Sequence, residues 1–359
     1  MPEYASSASD RAVLLVNLGS PDSTAVADVR RYLDQFLMDG RVVDLPWPVR
    51  RLLVWLILRS RPKSSAEAYA SIWTDEGSPL KVHARDLAAR LDERIAPTVR
   101  WAMRYGSPSI EDALVELAAE GVRHVEFVAL YPHWAMSTSE TSIVEAERVI
   151  DKHDLPLLLE PMAPFYDEPG YIRVLADLAR EHLHEDDHLL FSYHGVPERH
   201  IRKTDPTGHH CLQVENCCQV DDPAAHSRCY RHQVFVTSEL VAQELGLPRD
   251  RWSVSFQSRL GRAKWIEPYT DATLEAMPAR GIRRLAVMCP AFVADNLETL
   301  EEIGIEGRET FMEAGGERYT LIPCLNARQD WVEFLARQLE EDEPEPHAEP
   351  MTVDAAANG

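Results

Sequence analysis

The chain has 359 residues, 45% of them apolar, enough for two ordinary cores that need no disulfide or metal staple to fold. Its 37 Lys and Arg against 59 Asp and Glu leave a formal charge of −22, the wrong sign for neutralising phosphates, which excludes nucleic acid as a partner. No apolar run approaches the ~20 residues of a membrane span, and the opening MPEYASSASDR lacks the basic region and apolar run of a secretory signal, so a cytoplasmic protein with reduced thiols is expected.

Residues 1–10 read as a disordered N-terminus. Beyond them, short aliphatic runs alternate with helical patterns: AVLLVNLGSP from Ala12, TVRWAMRYGSP from Thr98, VEFVALYPHW from Val125, LPLLLEPMAPF from Leu155, HLLFSYHGVP from His188, RWSVSFQSRLG from Arg251, RRLAVMCPAF from Arg283 and RYTLIPCLN from Arg318. Stretches such as SIEDALVELAAEG (Ser109–Gly121) and PGYIRVLADLAREHL (Pro169–Leu183) carry apolar residues at helical spacing. Such alternation predicts α/β architecture with parallel sheets. Eight strands divide into two similar Rossmann-like lobes, 11–165 and 166–338, each a four-stranded parallel sheet flanked by helices, with the boundary in MAPFYDEPG (Met162–Gly170). Ligands in such folds bind beyond the carboxyl ends of the strands. There the chain places Asn17 to Pro21, Arg104-Tyr105-Gly106, Tyr131 to Trp134, His194-Gly195, Gln257-Ser258 and Cys289-Pro290, all pointing to one cleft between the lobes. GSPDS lacks either phosphate-loop pattern, so no nucleotide is expected.

Within 42–61 the run LLVWLIL (Leu52–Leu58) is flanked by Arg50, Arg51, Arg59 and Arg61. It reads equally as a core helix with surface arginines or as an apolar lip that meets a greasy ligand or a bilayer interface. SYHGVPERH sets His194 at a strand end. In FVADNLETLEEIGIE, the spacing of Asp295, Glu298 and Glu302 puts three carboxylates on one helical face at the same sheet edge, predicting an acidic track. The segment 205–232 packs Cys211, Cys217, Cys218 and Cys229 together with His209, His210, His226 and His232. In a reducing compartment this is a metal site rather than a disulfide framework. The spacing C-x5-CC-x10-C is not that of structural zinc, and adjacent cysteines suit two metal centres better than one. Cys289 and Cys324 are isolated and read as packing residues. Residues 339–359, Pro- and Glu-rich, read as a disordered acidic tail.

VNLGSPD (Val16–Asp22), GSPL (Gly77–Leu80), MRYGSP (Met103–Pro108), YPHWAMSTSETS (Tyr131–Ser142), SYHG (Ser192–Gly195) and CPAFVADNLETLEEI (Cys289–Ile303) occur in order between Ala12 and Trp331. Together they resemble the ferrochelatase family, enzymes that insert ferrous iron into a porphyrin at the end of haem synthesis. The resemblance implies a porphyrin cleft between the lobes, with His194 and Glu298 as the catalytic pair that also meets the incoming Fe2+. Asp295 and Glu302 would be their acidic neighbours, and Leu18, Ser78, Arg104, Tyr105, Tyr131 and Trp265 would line the pocket. A free-base porphyrin sheds two pyrrole protons as the iron arrives, and imidazole and carboxylates are the side chains that can take them near neutral pH. The apolar segment then corresponds to the family's pocket lip, implying peripheral contact with the inner face of the membrane. Some bacterial members hold a 2Fe-2S cluster in a comparable insertion, implying Cys211, Cys217, Cys218 and Cys229 as its ligands. The coproporphyrin branch tends to carry tyrosine where Leu18 stands, so protoporphyrin IX is the expected substrate. Competing readings are a chelatase for coproporphyrin, cobalt or nickel, and a haem-binding iron–sulfur sensor, which would not need both His194 and Glu298.

Overall fold

The computed structural model describes residues 10–259, 261 and 263–341; the expectations for residues 1–9 and for the acidic tail from 342 onward lie outside them. The aliphatic runs form β1 (Arg11–Gly19), β2 (Thr98–Tyr105), β3 (His124–Ala129), β4 (Leu158–Pro161), β5 (His188–His194), β6 (Trp252–Gln257), β7 (Arg284–Met288) and β8 (Arg318–Leu321). They build two four-stranded parallel sheets of the same order, β2-β1-β3-β4 and β6-β5-β7-β8. The central strands β1 and β5 are buried almost end to end, as expected of parallel strands covered on both faces.

The first half supplies α1 (Val26–Leu37), α2 (Trp47–Ile57), α3 (Arg61–Ile72), α4 (Pro79–Asp92), α5 (Ile110–Ala119) and α6 (Thr141–His153). The second supplies α7 (Pro169–His182), α8 (Glu198–Thr204), α9 (Pro223–His226), α10 (Tyr230–Glu244), α11 (Thr270–Ala276), α12 (Arg308–Glu313) and α13 (Gln329–Glu341). Two π-helical segments, Met136–Glu140 and Glu298–Gly307, follow the third strand of each sheet.

The lobes share a core. Val13, Leu15 and Leu87 of the first half belong to the same apolar cluster as Leu189 and Phe191 of the second, joined through Phe165, Tyr171, Trp331 and Phe334. Helix α13 closes the chain back onto α4 as well as α7, and Arg94 at the end of α4 pairs with Glu333 and Glu340 of α13. The division at 165/166 therefore separates the sheets but not the packing, because the last helix of the second half is partly a cover for the first. Leu339 is buried in α13, so the chain remains ordered past the point where the acidic tail was expected to begin.

The apolar segment is not a core helix. Along α2 only Val54 is fully buried, with Leu58 just beyond its end, while Trp47, Leu52, Trp55 and Leu56 are 61%, 60%, 50% and 51% exposed. Among the described residues no helix is long and apolar enough to cross a membrane.

Candidate active site

His194 ends β5, and its Nδ1 lies 2.6 Å from the carbonyl of Gly195. A carbonyl only accepts, so Nδ1 carries the proton and Nε2 is left as the basic nitrogen. The imidazole stands 6.3 Å from the Trp265 ring and 6.4 Å from Phe292, centroid to centroid. Gly195 is required here: a Cβ on it would meet the Gln257 carbonyl at 3.0 Å and the Trp265 ring at 3.2 Å. From behind, the Tyr230 hydroxyl donates to the His194 carbonyl at 2.8 Å.

Glu298 opens the second π-helical segment, an arrangement concentrated at functional sites. Burial raises its pKa, opposed by the charge of His194 and reinforced by that of Glu302. The two groups predicted as a pair are thus near enough to feel each other. Glu302 accepts from the Ser258 N–H at 2.8 Å and from the Ser258 hydroxyl. Glu301, raised by burial and by Glu306, Glu302 and Glu298, continues the carboxylates toward the exposed Glu306.

Asp295 departs from the expected track. It is buried, and its oxygens accept from the Cys324 N–H (3.1 Å), the Thr299 hydroxyl (3.2 Å) and the Asn326 amide (2.8 Å). It ties the loop after β7 to the loop after β8, because it lies before the helical segment rather than on it.

The opposite wall comes from the first half. Leu18 packs with Tyr32, Tyr69, Tyr105 and Leu297, the neighbour of Glu298. Burial, then the charge of Glu298, raises the Tyr69 pKa, and Glu298 acts on Tyr32 as well. Ser78 is buried at the N-cap of α4. Arg104 and Tyr105 meet at Asp39, whose Oδ2 accepts from Arg104 (2.6 Å), the Tyr105 hydroxyl (2.9 Å) and the Thr141 hydroxyl (2.5 Å). Burial alone would raise the Asp39 pKa, but these donors, with the Arg41 N–H, carry it below its usual value. Tyr131 is buried within reach of the Arg104 charge. Asp39, Tyr32 and Tyr69 escaped the sequence reading. They lie in the helical region before β2, and only pairing across the fold brings Asp39 to Arg104 and the two tyrosines to Leu18 and Leu297. A cavity of about 450 Å³ opens beside Asp39, Arg104 and Thr141. A second of about 430 Å³ lies between Arg41, Trp134, Lys203 and Arg228. Neither is lined by His194 or Glu298.

In the insertion, Cys211, Cys217 and Cys229 are buried and Cys218 is half-buried. Contact with the Cys229 thiol, then burial, raises Cys218; contact with Cys211 pushes Cys229 up to about 12. With Cys217 against Cys218, these contacts link all four sulfurs. The Leu212 N–H donates to Cys217 Sγ at 3.3 Å and Arg231 to Cys218 Sγ at 3.4 Å. The histidines are not candidate ligands through those nitrogens that serve as struts. His210 and His226 donate to the Cys217 carbonyl at 2.7 and 2.9 Å, His232 to the Cys218 carbonyl at 3.0 Å, and His209 to the Thr207 carbonyl at 2.7 Å. Asp205 folds the start of the loop by accepting from the N–H groups of His210 and Cys211, both at 2.9 Å. Among the described residues, no three His, Cys, Asp or Glu side chains are gathered so as to hold a single ion.

Comparison with known proteins gives a consistent answer. The family model described as Ferrochelatase matches residues 10–343. A ferrochelatase of Stutzerimonas stutzeri is 57% identical over 334 residues, covering 91% of this chain and 97% of that protein. One of Azotobacter vinelandii is 56% identical over 334 residues, covering 91% and 98%. Among solved structures, the sirohydrochlorin chelatase SirB of Bacillus subtilis subspecies spizizenii in complex with cobalt aligns with a TM-score of 0.50 at 11% identity. That alignment covers 92% of this chain and 94% of that one, a likeness of fold alone.

Proposed function

This chain belongs to the ferrochelatase family and is a metal chelatase that inserts ferrous iron into a porphyrin; from that premise we propose that protoporphyrin IX is its substrate and that His194 and Glu298 handle the protons the macrocycle releases. The observation that carries this is the pair itself: a basic Nε2 left free by the Nδ1–Gly195 bond, and a carboxyl raised by burial under the electrostatic influence of that imidazole. Nε2 takes a pyrrole proton, and Glu298 passes protons along Glu302 and Glu301 to the exposed Glu306. The same carboxylates attract a hard, hydrated dication, so Fe2+ as substrate meets the macrocycle between the two walls. Asp39 holds Arg104 and Tyr105 against the first sheet and shapes the pocket without touching the reacting atoms. Leu18, packed on Tyr32 and Tyr69, is the wall position that favours protoporphyrin over coproporphyrin.

Cys211, Cys217, Cys218 and Cys229 would hold a 2Fe-2S cluster, which supplies one-electron redox chemistry when bound. The residues fit. Thiols in successive pairwise contact, Cys217 with Cys218, Cys218 with Cys229 and Cys229 with Cys211, do not readily ionise side by side without a cation, and the Leu212 N–H and the Arg231 guanidinium donate to the sulfurs of Cys217 and Cys218. Two irons take two thiolates each, whereas zinc would need all four about one centre. The exposed face of α2, flanked by the exposed Arg51 and Arg59, would rest in the interface of an anionic membrane on the cytoplasmic side.

The test is anaerobic incubation with ferrous iron and either protoporphyrin IX or coproporphyrin, following loss of porphyrin fluorescence. Faster turnover of protoporphyrin at equal concentration is expected, and preference for coproporphyrin would overturn the substrate assignment.

A further inference from the structure

We propose that Gln257 is a positioning residue that sets His194 and Glu298 against one another; the inference rests on the reading of those two as the proton-handling pair. Gln257 ends β6 and stands in register with His194 on β5. Its main-chain carbonyl accepts from the Gly195 N–H at 2.8 Å, fixing the turn that follows His194 and supplies the acceptor for its Nδ1. Its side-chain amide donates to the Glu298 carbonyl at 2.9 Å. One residue therefore holds the main chain of both walls.

The amide has one orientation available. Its Oε1 accepts from the Ser192 hydroxyl at 2.8 Å, with the Cys289 thiol at 3.9 Å. Ser192 lies 3.0 Å from the Thr270 hydroxyl, which is 2.8 Å from that of Ser255. With Oε1 turned to these donors, the NH2 group faces the carbonyl of Glu298, which can only accept. The whole chain of groups is buried. Gln257 itself is 3% exposed, so it acts through its neighbours rather than on the porphyrin. The next residue extends the arrangement: Ser258, at φ 66°, presents its N–H and hydroxyl to Glu302. The dipeptide thus orients the His194 turn, the start of the π-helical segment and the second carboxylate. A displacement of about 1 Å between groups that exchange protons costs on the order of 100-fold in rate.

Gln257→Met keeps the length of the side chain and removes the amide. It is expected to lower kcat for iron insertion by about 10- to 100-fold, to leave the porphyrin KM within about two-fold, and to displace the pH midpoint of kcat. Gln257→Glu should show a deficit that narrows as pH falls, because a protonated carboxyl again donates to the Glu298 carbonyl. A filler role would lower the melting temperature while leaving kcat per folded molecule and its pH midpoint unchanged. Parent-like kcat and pH midpoint in folded Gln257→Met, or a raised porphyrin KM at preserved kcat, overturns the proposal. If that variant does not fold, Ser192→Ala, which removes only the hydroxyl orienting the amide, carries the same test. Glu298→Gln assayed alongside separates the two readings. If it turns over like the parent, the proton pair is wrong; if it is impaired while Gln257→Met is not, only the positioning role fails.

Discussion

A histidine whose Nδ1 is committed to a neighbouring carbonyl has one nitrogen left for chemistry, and at His194 that nitrogen is the proposed base. His194→Ala is expected to lower kcat by about 10²- to 10⁴-fold, the usual worth of a positioned acid–base group, while porphyrin binding measured by fluorescence quenching stays near that of the parent. Glu298 makes a second, less obvious prediction. Its pKa in the fold lies above its value in the unfolded chain because burial disfavours the charge. Its contribution to stability is therefore full below the unfolded pKa and is lost as pH rises through the folded one. Glu298→Gln should melt higher than the parent at neutral pH, with the gap closing in acid, and should be severely impaired in turnover. A melting temperature that falls at neutral pH would contradict the buried-carboxyl account.

Among the elements, α2 and the cysteine-rich insertion were legible in type but not in placement. The run LLVWLIL is helical, yet only its Val54 edge faces the protein. Charges at Trp55 and Leu56, both half-exposed, should thus leave the fold intact. Trp55→Glu with Leu56→Glu is expected to weaken sedimentation with anionic vesicles and to raise the porphyrin KM more than that for iron, with unchanged circular dichroism. In the insertion, the anaerobically purified protein should be red-brown, and serine at Cys211, Cys217, Cys218 or Cys229 should bleach it. Serine at Cys289 or Cys324 should not, because those thiols are buried away from the insertion, beside Gln257 and Asp295. The insertion also touches the active site: Cys229 caps α10, and the first residue of that helix, Tyr230, donates to the His194 carbonyl.

At the scale of the molecule, two sheets of identical order are locked by Phe165, by Tyr171 of α7 and by the aromatics of α13 rather than merely juxtaposed. The rings of Phe165 and Trp331 lie 5.7 Å apart and those of Trp331 and Phe334 5.5 Å. Trp331→Ala should cost about 3–5 kcal/mol and lower one cooperative transition for both lobes, as followed by calorimetry. Separate melting of the lobes would refute the shared core. Burial also lowers the pKa of several histidines, most strongly His133, to about 3, and His188 and His200, to about 4. Each binds a proton more readily unfolded than folded, so stability is full above the unfolded pKa near ~6.5 and is lost as pH falls toward the folded values. The melting temperature should decline steadily over that window.

What the sequence determined by itself was local. Strand and helix type follow from periodicity within a few residues, so β1 to β8 and their two-lobed grouping could be read directly, as could the placing of His194 at a strand end, of Glu298 on the helical stretch beyond β7, and the crowding of four cysteines in one loop. What only the tertiary structure decided depends on partners far apart in the chain. Asp39 reaches Arg104 and Thr141, Asp295 turns to Asn326 instead of joining the track, and Gln257 meets Glu298. The last helix covers the first lobe. A carboxylate or an amide looks the same in sequence whether it faces solvent, metal or a buried carbonyl, because its role is set by which donors the fold carries to within about 3 Å of it.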